Sequence, residues 1–347
     1  MGLEYILVNI ALWFGLYLIV TLSLNLEYGY GGIPNFGKAF AVLMGAFAIG
    51  GIINRILIYI FSISGQIIEA SSKIKTIVNS IIISNPSIGV ALFLLSIVLS
   101  FILGCLAGAL FILPSVKLKE DYLAITLLAI SEVTYLICYY NVDLIGGYYG
   151  VSIPDVFSFV PGEKRVFVFS GIVLLISFII YLMLNKLLNT PYGRLLKAIR
   201  ENEDVVKAYG KNIMTIKIKT VSLGSGIAAI AGALYSLYSV NVISSSFTRV
   251  EWTFYPFLMV LLGGAGNNKG ILLGTLIFVV VKILLTMYKF EISSILNLPF
   301  EAVWLEYIMF GVLMLIILFY RPEGLIREKP IFTKPIKNVI EKRKARK

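Results

Sequence analysis

Histidine is missing altogether from the 347 residues. Without imidazole there is no His-dependent triad, no His metal ligand and no His proton relay. Cysteine is nearly as scarce, with only Cys105 and Cys138. Each sits in an apolar run far from any CxxC spacing, which fits a small buried hydrophobe and excludes a disulfide scaffold. Charge is thin as well. Asp, Glu, Lys and Arg make up 14% of the chain, against about a quarter in a soluble domain. No GxxxxGK[ST] segment occurs, so the chain has no phosphate-cradling loop of that type.

What fills the space is apolar. The set AVILMFWYC reaches 59%, more than a core of this length can enclose. The remaining apolar surface must face a bilayer, which rules out a soluble globular enzyme. Runs near the ~20 residues needed to cross a membrane occur at Leu3–Leu26, Phe36–Phe61, Ile88–Leu113, Tyr122–Tyr140, Val166–Leu188, Ile218–Val240, Ile271–Tyr288 and Trp304–Tyr320. A shorter run covers Phe254–Leu262. They are too long, and too apolar all round, for the alternating strands of a membrane barrel. The expected fold is an all-α polytopic membrane protein with about nine transmembrane helices, eight to ten being allowed.

The formal net charge is +11, from 30 Lys and Arg against 19 Asp and Glu. Placement explains it. Lys186, Arg194, Lys197, Arg200, Lys207, Lys211, Lys217 and Lys219 crowd one stretch, and ten more Lys or Arg follow Tyr320. The positive-inside rule puts both stretches in the cytoplasm, with an even number of spans between them. Counting back leaves the N-terminus outside, and Arg55, Lys73 and Lys75 on that outer side against the trend. Residues 1–320 read as one transmembrane domain and 321–347 as a basic cytoplasmic tail. The tail is an orientation signal lying against anionic lipid. No aromatic platform accompanies it, so no nucleic acid is expected.

The most informative polar stretch is Asn189–Thr215. Thr190-Pro191 is an N-cap followed by proline at the first helical position. Leu195, Ile199, Val206 and Tyr209 recur at spacings that share one helix face, while Arg200, Glu203, Asp204 and Lys207 take the other. Gly210 is a C-terminal stop. A polar face that mixes acid and base suits a protein partner better than a lipid interface.

Two glycine-rich breaks interrupt the apolar pattern. One is Gly29 to Lys38 (GYGGIPNFGK); the other is Gly263 to Gly270 (GGAGNNKG), preceded by a run too short to span. Non-helical backbone at membrane depth is tolerated only inside protein or along a watery path. Such discontinuities mark transport routes, the alternative being a plain turn with a packing ridge at Gly266, Gly270 and Gly274. Asn25, Gly32, Asn35, Gly37, Gly263, Gly264 and Gly266 are therefore candidates for the path. Glu132 and Lys282 are ionisable residues within spans. Glu132 is a candidate for the pore or for a subunit contact. No metal site and no catalytic set is expected.

Several of these stretches, taken together and in order, resemble one family. They are Leu24-Asn25 with Gly29 to Phe40, Asp143 to Pro154 (DLIGGYYGVSIP), Thr190 to Lys217, Ala231 to Tyr238 (AGALYSLY), Met259 to Gly274 and Arg321 to Leu325 (RPEGL). They resemble the permeases of branched-chain amino-acid ABC importers, of the LivM type. Lys38 stands where many relatives have His, and the Gly29–Phe40 segment is also similar to the partner permease, the LivH type. Asp204-Val205-Val206, with Gly210 four residues on, is similar to the EAA-x-x-x-G coupling loop of ABC importers. The resemblance implies a coupling loop carried by Arg194, Arg200, Glu203, Asp204, Val205, Val206 and Gly210. It implies two ATPase subunits docked there and using ATP, with no cofactor bound by this chain. It further implies a LivH-type permease as heterodimer partner, an external solute-binding protein, and a place in the cytoplasmic (inner) cell membrane. An ion-coupled secondary carrier is the rival reading.

Overall fold

The computed structural model describes residues 3–295 and 301–328. The first helix, α1 (Leu3–Leu24), continues into a π turn at Asn25–Tyr30. Next, α2 (Lys38–Phe47) and α3 (Asn54–Ile60) form one apolar rod around a second π turn at Ala48–Ile53. After them come α4 (Ile67–Ser84) and two long rods, α5 (Pro86–Ile112) and α6 (Glu120–Tyr140). A short turn α7 (Val142–Ile145) and strand β1 (Val151–Ser152) lead to α8 (Gly162–Leu188). The polar stretch then forms α9 (Pro191–Glu201) and α10 (Glu203–Ala208), before the long α11 (Ile213–Ser239). Strand β2 (Asn241–Val242) and a third π turn, Val250–Phe254, precede α12 (Tyr255–Gly263), α13 (Asn268–Ile295) and α14 (Ala302–Tyr320).

Among the described residues, 8 helices are long and apolar enough to cross a membrane. They match the eight long runs of the sequence. The short ninth run is α12, with 9 residues, which reaches only about 13 Å. One helix has no counterpart among the apolar runs. α4 buries Ala70, Ser71, Ile74, Val78 and Ile82 on one stripe and exposes Glu69 and Lys73. Its period is amphipathic, so no continuous apolar run announces it. The long polar stretch also ends earlier than the sequence suggests. α11 starts at Ile213, not Ile218, because the Asn212 side chain accepts from Thr215 N–H and caps it.

The connections sort to two ends. At one end β1 pairs antiparallel with β2, Val151 opposite Val242. There Ser71 of α4 accepts from Ser152 N–H, and Arg55 donates to the Asp143 carbonyl. At the other end the Gly29–Gly37 break, α9, the Gly264–Asn267 turn and residues 321–328 come together. The alternation deduced from Lys and Arg requires the same partition, so the first end is the outer one. Arg55, which ran against the trend by charge alone, has its hydrogen-bond partner there.

The centre is α11. In its most apolar stretch 83% of residues are buried, against 22% for α5 and α14 at the periphery. Small residues explain the difference. A Cβ at Gly45 would collide with the Ala229 carbonyl, one at Gly232 with the Val42 carbonyl, and one at Gly104 with the Ala229 methyl. Backbone thus lies on backbone where α2, α5 and α11 cross, and dispersion does the work that water-driven burial cannot do in lipid. Gly45→Val is expected to separate α2 from α11 and to cost about 3 kcal/mol or more. Thermal unfolding in detergent should show the loss, while Gly171→Val, which meets nothing within 4 Å, leaves the melting temperature unchanged.

Candidate functional site

The first glycine break is built around two buried charges. Glu27, in the π turn after α1, and Lys38, at the start of α2, are both 0% exposed, with Glu27 Oε1 2.7 Å from Lys38 Nζ. Asn35 Nδ2 donates to Glu27 Oε2 at 2.9 Å, and Asn35 Oδ1 accepts from Gly37 N–H at 3.0 Å. The Glu27 carbonyl accepts from Ile33 N–H at 2.9 Å. Side chain and backbone of one residue therefore shape the whole climb from Gly31 to Gly37. On the far side Gly224 of α11 gives way to the carboxylate, since a Cβ there would overlap it. The pair is stable only as a pair. Removing one partner strands a charge in apolar surroundings, a loss of about 3–5 kcal/mol.

Two helix starts meet beside this pair. The Ala39 N–H of α2 donates to the hydroxyl of Thr253, in the π turn that feeds α12, at 2.9 Å. From Ala39 the chain climbs to Gly50, which packs on Val151 and Val242 at the outer end. From Thr253 it descends to Gly263, whose carbonyl accepts from Ile326 N–H at the inner end. Each path is roughly 15 Å long, so the junction lies near the middle of the membrane. The N-terminal end of the long α2–α3 rod thus meets that of the short α12 inside the membrane, and broken helices that meet in this way build sites in discontinuous transporters.

The second break is tied to the first by amides. Asn25 Oδ1 accepts from Gly266 N–H at 2.9 Å, and Asn25 Nδ2 donates to Asn268 Oδ1 at 2.8 Å. Asn268 Nδ2 then donates to Asn185 Oδ1 of α8 at 2.7 Å. Gly263 packs against Gly270 and Gly274, and Gly264 against Glu323 and Ile326. The Gly266–Gly274 ridge is thus divided: Gly270 and Gly274 form the helix contact, while Gly266 lies in the turn.

Arg200 of α9 joins this assembly to the cytoplasmic helices. Its guanidinium donates to the Gly29 carbonyl and, at 2.7 Å, to Glu328. Lys197 also pairs with Glu328, at 2.5 Å. Gly32, at φ +65, lies directly against the Arg200 stem, where a side chain would press on it. Burial works against the Arg200 charge. The hydrogen bonds and charge of Glu328, with those of Glu201, outweigh it and hold the guanidinium above its ordinary value. It stays charged at any physiological pH.

The stretch from Thr190 to Ile213 folds largely as its caps require. Thr190 accepts from Tyr192 N–H ahead of α9, and Asn202 accepts from Asp204 and Val205 N–H ahead of α10. Ile199, Val206 and Ile213 form a small core, with Glu203 tied to Lys217. Tyr209 departs from the expected stripe. It is 81% exposed, because the chain turns at Gly210, φ +73, and Ile213 of α11 fills the place instead. Arg194, Asp204 and Val205 are exposed as well.

The structure brings together Asn25, Gly32, Asn35, Gly37, Arg200 and Gly266. Glu132 stands apart on α6, partly exposed, 3.5 Å from Arg249. The sequence reading passed over Glu27, Asn185, Thr253, Asn268 and Glu328. Glu27 had a visible signal: a lone acid inside an apolar stretch, with a lone base at Lys38 just beyond the glycines.

Residues 6–318 match the family described as branched-chain amino acid transport system, permease component. The chain is 60% identical over 331 residues to the probable branched-chain amino acid transport permease protein LivM of Methanocaldococcus jannaschii, covering 95% of this chain and 96% of that one. It is 29% identical over 245 residues to the high-affinity branched-chain amino acid transport system permease protein LivM of Escherichia coli, covering 63% of this chain and 54% of that one. No solved structure matches the chain. With the membrane-spanning helices, the paired breaks and the amphipathic cytoplasmic helices in place, the chain belongs to the permease components of branched-chain amino acid transport systems.

Proposed function

We propose that this permease carries branched-chain amino acids inward across the cytoplasmic membrane, driven by separate ATPase subunits that grip α9 and α10. A second permease of the LivH type completes the path, and an external binding protein delivers the solute. The observation that carries this reading is the Arg200 contact. One guanidinium touches the first helix break through the Gly29 carbonyl and the chain after α14 through Glu328.

The exposed faces of α9 and α10 are the handle. Asp204, Val205, Lys207 and Tyr209 point outward around the Gly210 turn. Val206 anchors the pair to Ile199 and Ile213, so a push on α10 moves α9 with it. Closure of the ATPase dimer on ATP displaces these helices, and Arg200 drags the Gly29–Gly32 turn. Asn25 and Gly266 share a hydrogen bond, so the second break follows the first. The displacement ends at the Glu27–Lys38 pair and the Ala39–Thr253 junction, where α2 and α12 shift against each other. ATP drives the cycle only through unequal affinity for the outward-open and inward-open arrangements.

Two variants test the lever in the complete transporter, reconstituted in proteoliposomes. Arg200→Lys keeps the charge but loses the planar fork that serves two acceptors. Uptake is expected to fall about tenfold or more, from a charge-assisted bond of about 1.5–3 kcal/mol, while ATP hydrolysis continues. Undiminished uptake would place the lever elsewhere. Gly210→Pro demands φ near −65° where the chain holds +73°, and it removes the N–H that donates to the Lys207 carbonyl. The variant should insert normally yet fail to couple hydrolysis to uptake, which parallel assays of phosphate release and solute accumulation resolve.

A further inference from the structure

A cavity of about 400 Å³ opens between α1, α13, α14 and the π turn before α12. It lies away from the Glu27–Lys38 pair. Lys282 is roughly 21 Å along α13 from Asn268, which places it in the outer half of the membrane. Tyr5 and Tyr307, each about half exposed, stand toward the outer end of this space.

Among the described residues, Glu251 and Glu306 line it with one ammonium, that of Lys282. Lys282 Nζ sits 4.8 to 5.1 Å from the ring centres of Trp13, Tyr17 and Tyr255 and donates to the Tyr17 hydroxyl at 2.6 Å. Those rings hold it in place. Glu251 Oε1 accepts from both Lys282 and Tyr17, and Glu306 Oε1 accepts from Tyr255 at 3.2 Å. The second oxygen of each carboxylate takes no hydrogen bond from another described residue, and neither is among the sealed, unpartnered atoms of the structure. The open oxygens of Glu251 and Glu306 offer acceptors to an ammonium, and the unspent N–H of Lys282 offers a donor to a carboxylate. Around the charges, Ile6, Val279, Ile283 and Met287 supply an aliphatic wall.

We propose that this cavity is a binding site for a zwitterionic aliphatic amino acid, held within the single permease chain. The ligand's ammonium takes the free oxygens of Glu251 and Glu306. Its carboxylate takes the remaining N–H of Lys282, and its side chain lies on the aliphatic wall. A lipid head group suits the site poorly, because the charges lie below the level of the head groups. Glu251 shares its π turn with Thr253, whose hydroxyl holds the Ala39 N–H. A ligand that draws on Glu251 is therefore felt two residues on, at the mid-membrane junction. The site is a sensor of solute in the outer half. This inference rests on the reading that the transporter carries aliphatic amino acids.

The test uses the whole transporter in nanodiscs, without the binding protein, titrated calorimetrically with L-leucine. Saturable binding is expected. Leucinol, which lacks the carboxylate, and 4-methylpentanoate, which lacks the ammonium, should each bind at least tenfold more weakly. Glu306→Gln should weaken leucine by a similar factor. The series on the unaltered protein stands even if that variant does not fold. Equal affinity for leucine and leucinol, or leucine binding untouched by Glu306→Gln, would overturn the site. So would loss of leucine binding when phosphatidylethanolamine replaces phosphatidylglycerol in the disc, since a lipid would then be the occupant. If leucine is imported from its binding protein but never binds the transporter alone, this site is wrong and the transport reading stands. If it is neither imported nor bound, both fall.

Discussion

A carboxylate and an ammonium 2.7 Å apart, neither touching solvent, set the terms for the rest of this molecule. Charges at that depth are tolerated only when each satisfies the other and every remaining polar group nearby is satisfied too. Glu27 meets that condition by spending both oxygens and its carbonyl on the loop that follows it. Asn35 completes the set by accepting from Gly37 N–H just ahead of α2. The result is a non-helical climb inside the membrane that needs no water for its shape. Gly32 is where the Arg200 stem rests on it.

The proposed lever depends on rigidity around it. α11 supplies a central post whose Gly, Ala and Ser surface lets α2 and α5 approach backbone to backbone, and close-packed interiors move as bodies instead of yielding locally. The break at Gly29–Gly37 runs beside this post, and the amide chain Asn25–Asn268–Asn185 stitches α1, α13 and α8 together on its cytoplasmic side. In the proposed cycle, movement imposed at Arg200 has few ways to dissipate. It reaches the junction where the Thr253 hydroxyl accepts from Ala39 N–H and Phe36 packs on Phe254 and Phe257.

Much of this was visible in one dimension. Long apolar runs name membrane helices because lipid imposes a length and a composition together. Thr190-Pro191 and Gly210 bounded the cytoplasmic helices because caps and positive φ are local chemistry. α4 escaped notice because Glu69, Lys73, Thr76 and Ser80 interrupt its apolar residues, so it lacks the uniform run that betrays a span. Tyr209 was misplaced on the buried stripe because a helical period was carried through a turn that Gly210 had already ended.

Residue order alone was enough to establish that the chain lives in a bilayer, and it set the threading and the partner face that are expected, since each of these follows from local composition and charge asymmetry. It did not reveal that Glu27 meets Lys38, that Arg200 reaches Gly29 and Glu328, or that Lys282 and Glu251 share a cavity with Glu306. Those pairings join residues far apart along the chain. Hydropathy and periodicity carry no information about which helix lies beside which; that is settled by where small side chains permit close approach and by which buried charges must find one another.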